Sequence, residues 1–536
     1  MNKHNYDPIL TAKVVSGLKF GFDLGFRGTV LNDKNVKNLT SAFDHPAIVL
    51  EAINKELQAG RFAGPFSVPP FKSFQVSPIG LVPKKAKNKF RMITNLSSPE
   101  SSSINSGISD TFAKVEYSSI FDAVQLIIAA GPHPFLSKSD IQHAFRLLPI
   151  SPSQYHLLCM KWQDSFYFDR CLPMGARSSC SLFESFSSAI EFIAHKEGIT
   201  YLTHYLDDFL FISPSLTAGN NDLTTFKALC QILNVPLSKE KTMGPSQIME
   251  FLGYEFNTIK ETILLPKDKV EKGLHLIQTF LQKKRCKLSD LQSLLGFLNF
   301  ACAVIVPGRA FLQRLYMATA NVSKPYYSIR LNQELKKDLL VWQSFFCNHN
   351  GVTLYREQLF LSPDVCHIYS DASQSLGHAA IFGKHWFFAQ WPSSWWCEQN
   401  IVFLELLPIV LALEVWGCML ANQVIIFHTD NEALVSILNK QRAKEPLVML
   451  LVRSFVLNQL RHNVYIKAVH VPGFLNIHAD ALSRLQVQRF RDLNPEANPC
   501  PTQLPRLPDS LITSKELWAW PKVPSPTPPK GPTLLR

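Results

Sequence analysis

Two carboxylates stand side by side at the centre of residues 204–211, His-Tyr-Leu-Asp-Asp-Phe-Leu-Phe. The flanking apolar runs read as strands, so Asp207 and Asp208 sit where a buried hairpin would turn. Two like charges in an apolar setting cost desolvation and repulsion, and a fold with nothing to gain avoids them. The cost becomes tolerable where hard oxygen ligands hold a divalent cation such as Mg²⁺. Asp is also an ordinary turn residue, so an acidic hairpin turn explains this stretch equally well.

Residues 136–150 separate the two readings, because Asp140 ends a second short apolar stretch there. An acidic strand end followed by a distant Asp-Asp hairpin is what two-metal phosphoryl transfer requires. One ion activates a 3′-hydroxyl and the other, about 3.5–4 Å away, holds the triphosphate and leaving oxygen. Side chains alternate along a strand. Asp140 and Asp207 are therefore expected as the main ligands with Asp208 in support, unless a tight turn relaxes the alternation.

Four segments in this order and spacing make the chain similar to reverse transcriptases. Tyr205-Leu206-Asp207-Asp208 resembles the Tyr-x-Asp-Asp box, and Asp140 to Phe145 resembles the first catalytic motif. Leu172-Pro173-Met174-Gly175 resembles the segment that supports template and incoming nucleotide. Phe251-Leu252-Gly253-Tyr254 resembles the hairpin that grips the primer end. The resemblance implies an α+β right-hand polymerase of fingers, palm and thumb. It also implies two Mg²⁺ ions per active site, with Mn²⁺ as a possible substitute.

The resemblance also gives roles to flanking residues. Phe145 falls where a bulky side chain lies under the nucleotide sugar and would exclude a 2′-hydroxyl; without the family it reads as a core Phe. Residues 83–91 carry five positive charges; alone they read as a solvated loop or a localisation signal. The resemblance places Arg91, and with it Lys84, against the triphosphate, where a guanidinium can fork onto oxygens. Lys241 matches a lysine that protonates the leaving pyrophosphate, although a surface lysine is the alternative. Met174 departs from the Gln common in retroviral relatives and cannot supply that hydrogen bond.

A second acidic set follows. Asp371 lies in a strand-hairpin pattern, Glu405 early in a long apolar helix, Asp430 at the end of a buried-strand run, and Asp480 at a helix start. Singly, Asp430 and Asp480 read as helix caps. Together, in this order, the four resemble the ribonuclease H set, which implies a mixed-sheet α/β domain and a second pair of Mg²⁺ ions. His470, ahead of Asp480 in His-Val-Pro-Gly, matches that family's mobile-loop histidine. Reverse transcription leaves an RNA–DNA hybrid whose RNA must be removed, and a ribonuclease H reads such a hybrid by shape and 2′-hydroxyls. The expected partners are an RNA template, a DNA primer, the hybrid and deoxynucleoside triphosphates.

Bulk properties agree. A chain of 536 residues exceeds one core and suggests about three or four domains. Its net charge of +12 suits a polyanionic partner, though a basic balance alone also fits a membrane surface. Eleven cysteines without a Cys-x-x-Cys pair indicate neither a zinc site nor a disulfide framework, and a reducing compartment fits. Residues 401–421 are nearly long enough to span a bilayer but contain Glu405 and Glu414, so a core helix and no membrane role are expected. No basic-then-apolar signal pattern opens the sequence. An intracellular setting, cytoplasm or nucleus, is expected.

The expected organisation is an N-terminal extension at 1–60, fingers and palm at 61–258, and a helical thumb at 259–319 whose Lys and Arg residues track phosphates. Ser289-Asp290 should cap a thumb helix and Pro307-Gly308 should break one. A connection at 320–362, a ribonuclease H domain at 363–487 and a Pro-rich tail or linker at 488–536 complete the chain. Residues 59–66, 81–85, 95–97 and 294–300 resemble DIRS-type retrotransposons, which integrate with a tyrosine recombinase; such a recombinase is an expected partner. Two other functions remain open: an inert or domesticated nucleic-acid-binding copy, and an RNA-templated RNA polymerase, which would share the palm carboxylates.

Overall fold

The computed structural model describes residues 7–84, 89–348, 350–353, 360–392 and 400–505. They fall into two compact units, Met1–Glu261 and Thr262–Arg536.

The first unit is built on a four-stranded antiparallel sheet ordered Tyr201–Tyr205, Asp208–Ser213, Phe135–Asp140, Met243–Ser246. Its inner strand Asp208–Ser213 is buried at every residue after Asp208, as a run of Phe-Leu-Phe-Ile demands. Phe209 and Phe211 meet Phe226 of helix Leu216–Ile232 at ring distances of 5.0 and 4.8 Å. Helix Ser179–Lys196 adds Leu182, Phe183, Phe186 and Ile190 to the same core. Burial of each such side chain contributes roughly 1.5–3 kcal/mol, so the sheet that carries the hairpin has a rigid floor. A three-stranded sheet (Phe62–Phe66, Ser165–Asp169, Cys159–Trp162) and the hairpin Ile79–Pro83/Phe90–Thr94 complete the unit. Lys85 and Lys87, in the basic stretch 83–91, lie outside the described residues.

The expected extension at 1–60 is instead part of this unit. Asp7 caps helix Pro8–Phe20, whose Val14 joins the main core. Helix Pro46–Gln58 buries Val49 and Ile53 against Ile79, Leu81, Met160 and Trp162. Glu56 binds Arg61 at 2.8 Å and Arg146 at 2.9 Å, and Arg146 also grips Asp169 at 2.6 Å. Composition hid this, because the apolar positions of 1–60 find their partners far along the chain.

The second unit opens with helices Lys267–Gln282, Leu288–Ala301, Gln313–Thr319 and Gln333–Asn348. The helix expected to be capped by Ser289-Asp290 starts at Leu288, because backbone does the capping: the N–H groups of Leu288 and Ser289 donate to Tyr327 and Pro325 carbonyls. At Pro307-Gly308 the helical run does break, into a 3₁₀ turn at Val306–Phe311. A five-stranded mixed sheet follows, ordered His385–Gln390, Gly377–Phe382, Cys366–Ala372, Val424–Thr429, Tyr465–His470. Its first three strands are antiparallel, and Cys366–Ala372, Val424–Thr429 and Tyr465–His470 run parallel. Helix Ile401–Trp416 is buried along most of its length, and no helix among the described residues is long and apolar enough to cross a membrane.

The stretch expected as a linker from 488 is packed through its described residues, 488–505. Helix Val487–Leu493 buries Phe490, and Asn498 and Thr502 donate backbone N–H groups to Lys384 and Trp386. Trp386 Nε1 returns a 2.9 Å bond to the Asn498 carbonyl. Proline content suggested a tail, whereas two tryptophan N–H groups, on Trp386 and Trp416, find their acceptors in it. Residues 506–536, which hold the densest prolines, lie outside the described residues.

Candidate active sites

Leu206 and Asp207 form the two-residue turn between strands Tyr201–Tyr205 and Asp208–Ser213, with Leu206 at φ 54°. Asp208 thereby stands opposite Tyr205 on one side and opposite Asp140 on the other. Burial, then the charges of the neighbouring Asp207 and Asp140, push the Asp208 carboxyl up to about 6. Burial and then Asp140 also raise Asp207. Lys241 Nζ lies 2.6 Å from Asp140 Oδ2, so its ammonium is ion-paired to that carboxylate. Three carboxylates thus share one ammonium. Asp208 pairs with Asp140 across the two strands, while Asp207, in the turn, accepts the Ile141 N–H through its backbone carbonyl at 3.0 Å.

The flanking residues sort as follows. Phe145 follows Asp140 in the 3₁₀ turn Ala144–Leu147, half-buried, its ring 4.9 Å from that of Phe183. It is anchored in the core with one side open. Arg91 Nη1 approaches Met174 Sδ at 3.9 Å, and both side chains are exposed. A Cβ on Gly175 would lie 3.1 Å from the Thr94 carbonyl oxygen, a tight contact that the backbone would have to relieve. Lys84 is exposed at the end of strand Ile79–Pro83. Leu252 and Gly253, at φ 51° and 81°, form a tight hairpin turn with Phe251 and Tyr254 buried at its base.

Two further groups had no sequence signal. Asn105 donates to the Gly175 carbonyl at 3.0 Å and to Ser97 Oγ at 2.8 Å, and accepts from the Arg177 N–H at 2.8 Å. One amide thus holds the loop of Met174 and Gly175. His204, 3 % exposed, places Nε2 3.1 Å from Glu184 Oε1 and bonds Glu191 through Nδ1. Burial opposes its charge, but the two glutamates outweigh burial and push it up to about 9. The pair ties strand Tyr201–Tyr205 to helix Ser179–Lys196. Both groups join residues far apart in sequence.

The second acidic set also converges. Asp371 is pushed up to about 6 by burial and then by Asp430 and Asp480, while a bond from Ser483 opposes the rise. Glu405 is pushed up to about 7 by burial and then by Asp430 and Asp371, against a bond from Asn431. Its buried Oε2 has no hydrogen-bond partner. The capping roles that Asp430 and Asp480 suggested singly are not theirs: Asn431 caps helix Glu432–Lys440, and Asp480 lies inside helix Ile477–Ser483. Arg484 Nε pairs with Asp480 at 2.5 Å. His470, exposed, ends its strand opposite Thr429, the neighbour of Asp430. Among the described residues no three acidic, His or Cys side chains form a ready-made metal cage. Like charges without an ion repel, and here Lys241 and Arg484 stand in as counter-charges. The chemistry of both sets nevertheless fits hard cations: crowded carboxylates, with raised proton affinity at Asp207, Asp208, Asp371 and Glu405, and an orphaned oxygen on Glu405.

Comparison with known proteins follows the first site. Residues 82–256 match the family model described as reverse transcriptase (RNA-dependent DNA polymerase). The Pro-Pol polyprotein of Simian foamy virus type 1 is 25% identical over 230 residues, 40% of this chain and 18% of the relative. Protein P of Duck hepatitis B virus (strain China) is 26% identical over 185 residues, 34% of this chain and 23% of the relative. The chain therefore matches less than a quarter of the length of either relative. A solved foamy viral protease-reverse transcriptase in complex with ds DNA shares the fold at TM-score 0.52 and 16% identity, over 87% of this chain and 80% of that one. Residues 82–256 are thus a reverse transcriptase domain with homologues among foamy-virus and hepatitis B virus polymerases.

Proposed function

We propose that this chain is an RNA- and DNA-templated DNA polymerase with a fused ribonuclease H, serving the replication of a DIRS-like retrotransposon inside the cell. The convergence of Asp140, Asp207 and Asp208 with Lys241, within the segment that matches the family, carries the polymerase reading. Mg²⁺ ions held by these carboxylates, with Mn²⁺ as a substitute, would supply charge neutralisation and activation of a 3′-hydroxyl. Arg91 and, further out, Lys84 face the triphosphate; Phe145 lies under the sugar; the 251–254 turn holds the primer end. Lys241 hands its proton to the leaving pyrophosphate.

The ribonuclease H reading rests on Asp371, Glu405, Asp430 and Asp480 meeting at one end of a mixed sheet. His470, exposed opposite Thr429 on the neighbouring strand, would act with this set as the ribonuclease H family's loop histidine. The structural neighbour's complex with ds DNA supports a nucleic-acid partner. A recombinase from the same element would complete integration.

Primer extension on an RNA template tests the first reading, and hybrid cleavage tests the second. Asp207→Asn should abolish extension and spare cleavage, and Asp371→Asn should do the reverse. Loss of both activities in either folded variant would rule out two independent sites.

A further inference from the structure

Away from the two carboxylate sets, the second unit carries a surface that local rules disfavour. Strands Arg285–Lys287 and Ser328–Arg330 form a short antiparallel ribbon. Cys286 and Ile329 point inward and are buried, which leaves Arg285, Lys287, Ser328 and Arg330 exposed on the other face. Arg285 lies directly opposite Arg330, a like-charge cross-strand pair that costs stability. Lys287 occupies the N-cap of helix Leu288–Ala301, the end where a cation opposes the helix dipole. Lys283, Lys284 and Lys324 are exposed on the flanking residues, and Asp290 is the one acid in these two stretches. The ion pairs of this unit lie elsewhere, and among the described residues none involves a ribbon cation.

The ribbon is also shaped to bind. Arg285 is held in place by Ser328, through Nε to Oγ at 2.9 Å and Nη2 to the carbonyl at 3.2 Å. Tyr326 and Tyr327 lead into the second strand, 66% and 47% exposed, their rings perpendicular and 5.2 Å apart. Exposed aromatic faces beside a row of unpaired cations match one polymer chemistry: phosphates at regular intervals with flat, unpaired bases. A duplex would offer the phosphates but keep its bases stacked away from the tyrosines.

We propose that this ribbon binds single-stranded nucleic acid, with Arg285, Lys287 and Arg330 on phosphates and Tyr326 and Tyr327 under bases. The assignment deepens the copying function proposed above and rests on it, with the single-stranded template as the natural occupant. Binding is nevertheless measurable without catalysis.

The test is fluorescence anisotropy of a labelled uridine homopolymer with the full chain in EDTA, across a potassium chloride series. The triple variant Arg285→Gln/Lys287→Gln/Arg330→Gln should bind at least about tenfold more weakly, and its log–log salt slope should fall by about two. Tyr326→Ala/Tyr327→Ala should lose about tenfold in affinity with the slope unchanged. Should the triple variant fail to fold, Lys287→Gln alone should lower the slope by about 0.7. Wild-type affinity and slope in folded variants would overturn the proposal. So would tighter binding to phosphatidylserine vesicles than to RNA when both are lost in the triple variant, which would assign the ribbon to a membrane. Absence of extension in the wild type would sink the polymerase reading while the binding series still judges the ribbon.

Discussion

Lys241 Nζ lies 2.6 Å from Asp140 Oδ2, so the ammonium occupies ground that a catalytic cation would contest. On the proposed reading, a lysine placed there would offset the carboxylates and protonate the leaving group. Lys241→Met should therefore slow primer extension by roughly 10²-fold, the scale of a lost general acid. Hybrid cleavage, assigned by the proposal above to the other carboxylate set, should be unchanged. The same variant leaves three crowded carboxylates without their counter-charge. Its melting temperature should fall in EDTA and recover with Mg²⁺ more than wild type does; equal responses to Mg²⁺ would remove Lys241 from the site.

Phe145 is half-buried against the core, with its ring 4.9 Å from that of Phe183. Phe145→Ala should cost up to about 3 kcal/mol of stability, less than a fully buried Phe because one side is already open. Phe145→Val keeps more of the packing and should separate the roles. Both variants should incorporate ribonucleotides at least about tenfold better relative to deoxynucleotides. Destabilisation with unchanged sugar discrimination would leave Phe145 as a core residue only.

Much of this arrangement was legible because charge in an apolar setting is a local signal. Asp140, Asp207 and Asp208 announced themselves by interrupting strands, and Asp371 and Asp430 by lying in or ending them. What stayed hidden was long-range pairing. Glu56 gives no hint in its own neighbourhood that it will bind Arg146, nor do 494–505 that tryptophan N–H groups need their oxygens. The cross-strand pairing of Asp208 with Asp140 was hidden for a different reason. Alternation holds within a strand, whereas a two-residue turn with Leu206 at positive φ resets which side chain faces Asp140.

Asn105 is the clearest of the hidden residues. Its amide makes three hydrogen bonds to Ser97, Gly175 and Arg177 and touches none of the carboxylates. Each bond is worth about 1 kcal/mol. Asn105→Ala should thus loosen the 173–177 loop and raise the KM for deoxynucleotides about tenfold, with kcat and the KM for primer–template little changed. Asn105→Asp keeps the acceptor for the Arg177 N–H but not the donor to Gly175, and should fall between. A uniform loss across all three parameters would mark Asn105 as structural alone.

Two buried histidines give the two units opposite responses to pH. His378, 0% exposed, packs on Trp391 at 4.6 Å with both ring nitrogens lacking hydrogen-bond partners, and burial pushes it down to about 3. The unfolded chain takes up that proton near pH 6.5 and the folded chain does not, so stability present above 6.5 is lost as pH falls toward 3. His204 has the reverse sign. Glu184 and Glu191 hold its proton up to about 9, so its contribution is complete below 6.5 and fades as pH rises through 9. Melting temperatures between pH 5 and 9.5 should show both limbs. His378→Leu should flatten the acid limb and leave the alkaline one, whereas His204→Gln should flatten the alkaline limb and lower stability at neutral pH. An acid limb that survives in folded His378→Leu would assign it to other groups and leave His378 as an inert core residue.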